Sequence, residues 1–348
     1  GLVFGGDIDG YNSYAQRGNL PMLEHVVSAG VSMMPCLSRL RVLRSWGHSE
    51  SGLAEILAAR IEAIVKPEPP VTFVDKLKKI PQLMEIARTS PKIVSNAPCQ
   101  QVVKTGNKGD LFELPMIKCW PLDGGRYITL PLVITKDPKT GVQNFGTYRM
   151  QVFDRNTTSL HWQTHKVGAS HYRAGIEMGL DRLEVAVALG GDPATIWTGS
   201  APVPPGMDEM AVAGFIREEA VEMVKAKTCD LLVPAHAEIV IEGEILANTH
   251  EPEGPFGEFT GYASYRSTQN VFVAKTMRMR RDAMFHSVVS GMSSDHILIS
   301  CITREGEILN TLRRTLPNVR AVHVPRGTCG GLMAIVSMKK TAPGEPQL

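Results

Sequence analysis

Three carboxylates fall within eight residues in Glu251-Pro252-Glu253-Gly254-Pro255-Phe256-Gly257-Glu258, and Phe259-Thr260-Gly261-Tyr262 continues the stretch. The prolines remove backbone donors and the glycines raise the entropy cost of a helix. The same residues fix φ at some positions and permit turns at others. The spacing therefore predicts a stiff loop that holds Glu253 and Glu258 at set positions. Carboxylates held in this way suit proton transfer, because a general acid must sit within hydrogen-bond reach of its target. An acidic surface turn is the competing reading of the segment alone.

Three further stretches carry candidate chemistry. In Asn144-Phe145-Gly146-Thr147-Tyr148-Arg149, read as a loop entering a strand, Asn144 offers an amide oxygen to a hard cation. Gly146 admits a ligand near the backbone, and Arg149 offers a bidentate grip on a carboxylate. His161-Trp162-Gln163-Thr164-His165-Lys166 places two histidines four apart. That spacing would suit metal ligands on a helix, but the stretch reads as extended. His165, beside Lys166 and Gly168, is the better ligand candidate, with His161 as packing. Glu238 enters the apolar run Ile239-Val240-Ile241, where a carboxylate is costly to bury unless it is paired or binds a metal. An amide oxygen, an imidazole nitrogen and a carboxylate together suit Mn²⁺ or Mg²⁺ better than structural zinc.

These residues need elements to position them. Leu53, Ile56, Leu57, Ile61, Ile64 and Val65 form a helical stripe, closed by Pro67-Glu68-Pro69-Pro70, and a second helical region is predicted over about Phe73 to Ala87. From Cys99 the texture changes to strands joined by turns. Strands are expected at Ile128–Thr135, ended by the turn Asp137-Pro138-Lys139-Thr140-Gly141, and at Thr147–Asp154, with Leu160–Thr164 as its hairpin partner. A short helix at His171–Met178 precedes a strand at Leu183–Leu189. Asp192 is placed to cap a helix with Pro193 at its first position. A helix at Met207–Glu218 and strands at Val221–Lys225, Glu238–Ile241 and Val271–Met279 follow. The last segment holds a helix at about Glu305–Thr315 and strands at Val319–Val324 and Leu332–Met338, read as the opening of an α/β unit.

Bulk composition narrows the class. The chain has 348 residues, 43% hydrophobic and 21% charged, enough for two or three domains around a sizeable core. A net charge of +2, from 37 basic and 35 acidic side chains, implies no nucleic-acid or anionic-membrane field. No apolar run reaches the roughly 18 residues needed to span a bilayer, and no secretory signal is present. The six cysteines, Cys36, Cys99, Cys119, Cys229, Cys301 and Cys329, include no C-x-x-C pair and read as buried or partly buried free thiols in a reducing cytoplasm. The chain opens at Gly1 rather than Met and ends at Gln347-Leu348 soon after an apolar run, so it reads as a fragment, incomplete at the C-terminus.

Taken together, Asn144–Arg149, Gln163-Thr164-His165, Val233-Pro234-Ala235-His236-Ala237-Glu238 and Glu253–Tyr262 resemble the motifs of the UbiD-type carboxy-lyases. Pro98-Cys99-Gln100, Ala186–Ala194 and Thr228–Pro234 are also similar to that family. The resemblance runs in family order over roughly residues 53–340. It implies reversible, non-oxidative decarboxylation of an aromatic or α,β-unsaturated acid, a 4-hydroxybenzoate-type quinone precursor being one candidate. The implied cofactors are prenylated FMN and Mn²⁺, with K⁺ as a further ion. By the same resemblance Asn144, His165 and Glu238 match the Mn²⁺ ligands. Thr147, Tyr148, Arg149, His161, Trp162, Gln163, His165, Lys166 and Glu238 fall on the cofactor site, and Lys339, with Lys340 as the alternative register, matches a phosphate-approaching lysine. Arg149, Glu253 and Glu258 match a Glu–Arg–Glu catalytic network.

The fold implied is α+β, with a split β-barrel flavin-binding region over 99–300, a helical or α/β segment over 1–98 and the start of a C-terminal α/β segment over 301–348. A flavin prenyltransferase as cofactor supplier and a homo-oligomeric state are implied as well. The expected location is cytoplasmic, with membrane association left open. The chemistry accounts for the residue types: loss of CO₂ from an sp² carbon leaves a carbanion that side chains cannot accommodate, so a cofactor must. Two other readings compete. A divalent-metal hydrolase would use His165 and Glu238 around an activated water. A non-catalytic flavin-binding module would hold cofactor without turning over acid.

Overall fold

The computed structural model describes residues 87–201, 203, 207–217, 219–291, 294–328 and 332–340. The two helical stretches expected before residue 87 lie outside them, as do Cys36 and Cys329. The described part is mixed α+β, built on one seven-stranded antiparallel sheet. Its strands, numbered in chain order, are β1 (Val102–Thr105), β2 (Leu132–Lys136), β3 (Gln143–Thr147), β4 (Thr157–Leu160), β5 (Arg182–Leu189), β6 (Ile239–Glu253) and β7 (Ser267–Met279). The spatial order is β1-β7-β6-β5-β2-β3, and β4 also pairs with β7.

The sheet is buried on both faces, and its alternating sequence says how. In β5, Val185, Val187 and Leu189 join one core with Val133, Ile239, Ile241, Ile245 and Phe272. Ala186 and Ala188 face the other way, into a second core with Ile134, Phe145, Val240, Met210 and Ala213. Successive strand side chains point to opposite faces, so the Val-Ala-Val-Ala-Leu run sorts large residues to one side and small ones to the other. The small side admits helix α3 (Glu209–Arg217), which brings Met210 and Ala213. Two other helices serve the site, α1 (Val167–Glu177) and α2 (Pro193–Thr198). Asp192 caps α2 as expected, its side chain accepting from the N–H groups of Ala194 and Thr195, with Pro193 at the first position.

β6 and β7 are long and not regular. Gly243 marks the first register shift, where an added Cβ would stand 2.1 Å from Val273 O. A second shift falls between Ile245 and His250, with Asn248 at a φ of 56°, and pairing resumes at His250–Glu253 against Ser267–Asn270. Under the sheet, Glu242 and Arg278 form a fully buried ion pair at 2.5 Å. Glu242 also accepts from the N–H groups of Lys227 and Thr228, which ties down the 227–228 turn.

Several expectations are corrected. Glu251–Glu253 is not loop but the end of β6, since the resumed pairing with β7 carries the strand on, and Pro252 sits exposed where its missing N–H costs little. Thr147–Asp154 is not one strand: β3 ends at Thr147, and Met150–Gln151 pairs separately with Tyr127–Ile128. The chain does reverse at Asp154–Thr157, where Asp154 Oδ1 accepts from Asn156 and Thr157 N–H. The following strand, β4, then pairs along its length with β7 and touches the preceding one through the single bridge Val152–Thr158. Helix α4 (Ser294–Arg313) begins well before Glu305. The two strands after it, Val319–His323 and Ile335–Met338, pair with each other as an antiparallel ribbon rather than joining an α/β sheet. Among the described residues no helix is long and apolar enough to cross a membrane, and Cys99, Cys119, Cys229 and Cys301 are free thiols.

Candidate active site

Arg149 stands in the gap between β3 and Met150–Gln151, where the chain leaves the sheet. Its guanidinium, 11% exposed, meets both carboxylates of the acidic stretch. Nε donates to Glu253 Oε1 at 2.9 Å, Nη2 to Glu253 Oε2 at 3.2 Å, and Nη1 to Glu258 Oε1. The ring of Phe256 lies 4.5 Å from the guanidinium carbon, a cation–π contact on one face of the group. Ser264 Oγ accepts from Nη2 at 3.4 Å. The expected Glu–Arg–Glu network is thus assembled by residues 104 and 109 positions apart in the chain.

Local backbone chemistry fixes the two carboxylates differently. Glu253 closes β6 and is fully buried. Gly254 then turns with φ at 97°, a conformation L side chains rarely adopt, and a cis bond leads into Pro255. Phe256–Gly257 pairs with Ala263–Ser264. Glu258 sits on the tip, with its N–H on Tyr262 O at 2.8 Å and its carbonyl accepting from Gly261. The 120–124 turn clasps this ribbon: Asp123 accepts from Trp120 N–H at 2.9 Å and Gly257 N–H at 2.8 Å, and Gly124 N–H donates to Pro255 O at 2.7 Å. Gln151 Oε1 accepts from Tyr127 Oη and from Gly254 N–H, at 2.9 and 2.8 Å.

The electrostatics follow from this wiring. Burial alone would raise the Glu253 carboxyl, but hydrogen bonds from His161 and Arg149, with their charges, outweigh it and hold the group below its ordinary value. Burial opposes charge on Arg149 as well, and the two carboxylates outweigh that, keeping it firmly protonated. Glu253 is therefore an anion within the network, while Glu258, more exposed at 29%, holds Arg149 by one oxygen.

The remaining expected residues are distributed around this centre. Tyr148 and Trp162 pack edge to face at 6.0 Å, and Trp162 donates to Asn270 Oδ1, so both serve the core. Gln163, His165 and Lys166 lie exposed at the N-terminus of α1, whose first turn carries no acidic residue. A cation beside the first turn of a helix suits a phosphate. Thr147 Oγ1 is buried with no hydrogen-bond partner among the described residues, in keeping with a ligand atom reaching it. These features fit a flavin mononucleotide.

The fit to a metal is different. Oriented to satisfy both neighbours, the Asn144 amide donates to Glu209 Oε1 at 3.0 Å and accepts from Phe145 N–H at 3.2 Å. Glu238 accepts from Met284 N–H at 3.1 Å, and burial raises its carboxyl. No described contact joins Asn144, His165 and Glu238, and no group of three or more His, Cys, Asp or Glu side chains among the described residues is arranged to hold a metal. Lys339 is exposed after the last strand, its N–H on Asn318 O, with no described contact to the network.

Sequence reading missed Glu209, whose half-buried carboxyl is pushed up to about 7 by burial, and the brace made by Trp120, Asp123 and Gln151. Only Gln151, a polar residue two positions beyond Arg149 in an apolar run, carried a signal.

Known proteins match this arrangement over most of its length. The model of the 3-octaprenyl-4-hydroxybenzoate carboxy-lyase Rift-related domain matches residues 92–293, and that of the C-terminal domain of the same enzymes matches 297–347. An uncharacterized protein of Archaeoglobus fulgidus is 42% identical over 276 residues, covering 79% of this chain and 56% of that protein. The UbiD-class enzyme HmfF of Pelotomaculum thermopropionicum, solved in complex with FMN, superposes with a TM-score of 0.71 at 30% identity, covering 84% of this chain and 64% of that one. The open form of the vanillic acid decarboxylase of Sedimentibacter hydroxybenzoicus gives 0.68 at 26% identity, over 80% of this chain and 59% of that one. The chain thus spans a little over half of the curated relative and under two thirds of either enzyme. With a family model covering more than half of its residues and the Arg149–Glu253–Glu258 network in place, the chain belongs to the UbiD family of carboxy-lyases.

Proposed function

We propose that this chain carries the catalytic part of a prenylated-FMN-dependent decarboxylase acting on an aromatic or α,β-unsaturated carboxylic acid. The observation that carries the reading is Arg149 bridging a buried anionic Glu253 and a partly exposed Glu258. The vanillic acid decarboxylase among the similar structures favours an aromatic acid, and a 4-hydroxybenzoate-type quinone precursor belongs to that class. Thr147 and the end of α1 with Gln163, His165 and Lys166 would hold the flavin, and the seven-stranded sheet would be the wall of its split barrel. When bound, the prenylated flavin supplies the electron sink that no side chain offers.

The protein residues then have distinct tasks. Glu253, held charged, fixes the guanidinium plane of Arg149 from one edge. Arg149 presents its Nη1 edge outward, where it holds Glu258 and offers a docking charge for a substrate carboxylate. Glu258, the more exposed of the two carboxylates, delivers the proton that replaces CO₂ at the substrate carbon. Asn144, His165 and Glu238 retain donor chemistry suited to a divalent cation, but their present partners lend it no support, and no step is assigned to one.

The test is protein co-expressed with a flavin prenyltransferase and offered a panel of aromatic and cinnamic-type acids. The expected result is CO₂ release together with H/D exchange at the carbon that bore the carboxylate. Glu258→Gln should lower both by about 10²-fold or more with cofactor retained, the usual scale for losing a general acid. Loaded wild-type protein inert toward every acid in the panel would overturn the reading.

A further inference from the structure

His161 makes a contact that the proposed reaction does not explain. Its Nδ1 lies 2.9 Å from Glu253 Oε2 and 3.2 Å from Arg149 Nη2. A guanidinium can only donate and a carboxylate can only accept, so one ring nitrogen cannot satisfy both at once. The carboxylate contact is the shorter, and Nη2 has Glu253 Oε2 and Ser264 Oγ as other acceptors. Nδ1 therefore carries the proton and donates it in a hydrogen bond to Glu253, leaving Nε2 as the second ring position.

The backbone supports the same placement. His161 N–H donates to Arg149 O at 3.1 Å, so ring and guanidinium are set against each other by main chain as well as side chain. The other titratable groups around Glu253 are accounted for. Tyr127 is fully buried with its hydroxyl on Gln151 Oε1, Arg149 holds both Glu253 oxygens, and Glu258 faces the far edge of Arg149. His161 is thus the second cationic or donor group on Glu253, and it reaches the oxygen that Arg149 binds at the longer distance.

We propose that His161 is a positioning residue of the network: its Nδ1–H fixes the rotamer and charge of Glu253, which in turn keeps the outer edge of Arg149 directed at Glu258. The inference rests on the decarboxylase reading for its consequence in turnover, but not for the hydrogen bond itself.

Two measurements on the full chain separate these. In the first, ¹⁵N NMR of the His161 ring and ¹³C NMR of the Glu253 carboxyl are followed against pH. A protonated Nδ1 is expected, and His161→Ala should move the Glu253 titration upward because a donor to the anion is lost. His161→Asn, whose amide N–H falls where Nδ1–H does, should restore it, and His161→Gln, which moves the donor toward the Nε2 position, should not. In the second, the prenylated-FMN-loaded protein is assayed. His161→Ala should lower kcat by about ten-fold to 10²-fold with KM and flavin content little changed, as for a small misplacement of reacting groups. His161→Asn should recover most of it, and the acid limb of the His161→Ala profile should lie at higher pH. An unprotonated Nδ1, an unmoved Glu253 titration, equal rescue by Asn and Gln, or a loss explained wholly by missing flavin would each overturn the assignment. An inert wild type with the predicted NMR behaviour would instead sink the decarboxylase reading and leave the hydrogen bond standing.

Discussion

Glu253 is fully buried at the end of β6, with Arg149 and His161 both against its carboxylate. That burial makes its charge a stability term. The folded pKa lies below the ordinary carboxylate value of about 4.3, so the unfolded chain binds the proton more readily in that range. The stabilisation is present in full above that value and is lost as pH falls through the folded pKa. Glu253→Gln should therefore cost about 1.5–3 kcal/mol at pH 7, the scale of hydrogen bonds to a charged group, and progressively less below about pH 4. Urea midpoints of both proteins from pH 3 to 7 measure this, and a pH-independent difference would mean that Glu253 is not an anion in the fold. Asn144 and Lys339 are proposed on residue type alone: the Asn144 amide stands beside the Glu209 carboxylate, and Lys339 is exposed.

At the scale of elements, strands with alternating apolar residues were legible and junctions were not. Leu183–Leu189 and Val271–Met279 fall within β5 and β7, because period-2 alternation is written in the side chains themselves. The end of β6 was not legible, because its pairing resumes only after four residues of its own, Leu246 to Thr249, stand against the single residue Val271 of β7. The 120–124 clasp was invisible for a similar reason: it joins the Asp123 side chain and the Gly124 N–H to backbone groups more than 130 positions away. Gly124 is the sharpest case. A Cβ there would stand 2.3 Å from Gly254 O, an atom of the turn that carries Glu253 toward Glu258. Backbone cannot swing aside as a side-chain tip can, so Gly124→Ala should push the 254–257 ribbon outward. The expected outcome is a fall in turnover of up to about 10²-fold with flavin still bound, since a shift near 1 Å at reacting groups has that effect. Gly106→Ala, with nothing within 4 Å of the added atom but a positive φ of its own, serves as a control for ordinary backbone strain. Equal activity of the Gly124→Ala protein and the parent would show that the clasp does not set the network.

For the molecule as a whole, the α+β class came with the family resemblance and agreed with the strand-rich texture after Cys99, while the two-faced burial of one sheet follows from which residues are large and which small along β5. The C-terminal segment was the weakest part of the reading, since a helix followed by two apolar runs is compatible with a parallel unit or with the antiparallel ribbon that forms. What connects the whole to function is whether the described residues form a flavin site without the rest of a longer relative. Linkage gives a direct measure. A ligand that binds only the folded state stabilises it by about 2.7 kcal/mol at a hundred times its Kd. For a domain of this size each kcal/mol moves Tm by about 2–4 °C, so FMN should raise Tm by roughly 5–11 °C at that ratio. The anionic phosphate is expected at the N-terminus of α1, where Lys166 stands and no acidic residue opposes it. Lys166→Glu should then shrink the FMN shift strongly while leaving the Tm of ligand-free protein within about 1 °C, as exposed substitutions usually do. Riboflavin, which lacks the phosphate, should give a smaller shift that Lys166→Glu does not change. An FMN shift equal to that of riboflavin would move the phosphate away from α1, and no shift with either would remove the flavin site from this part of the chain.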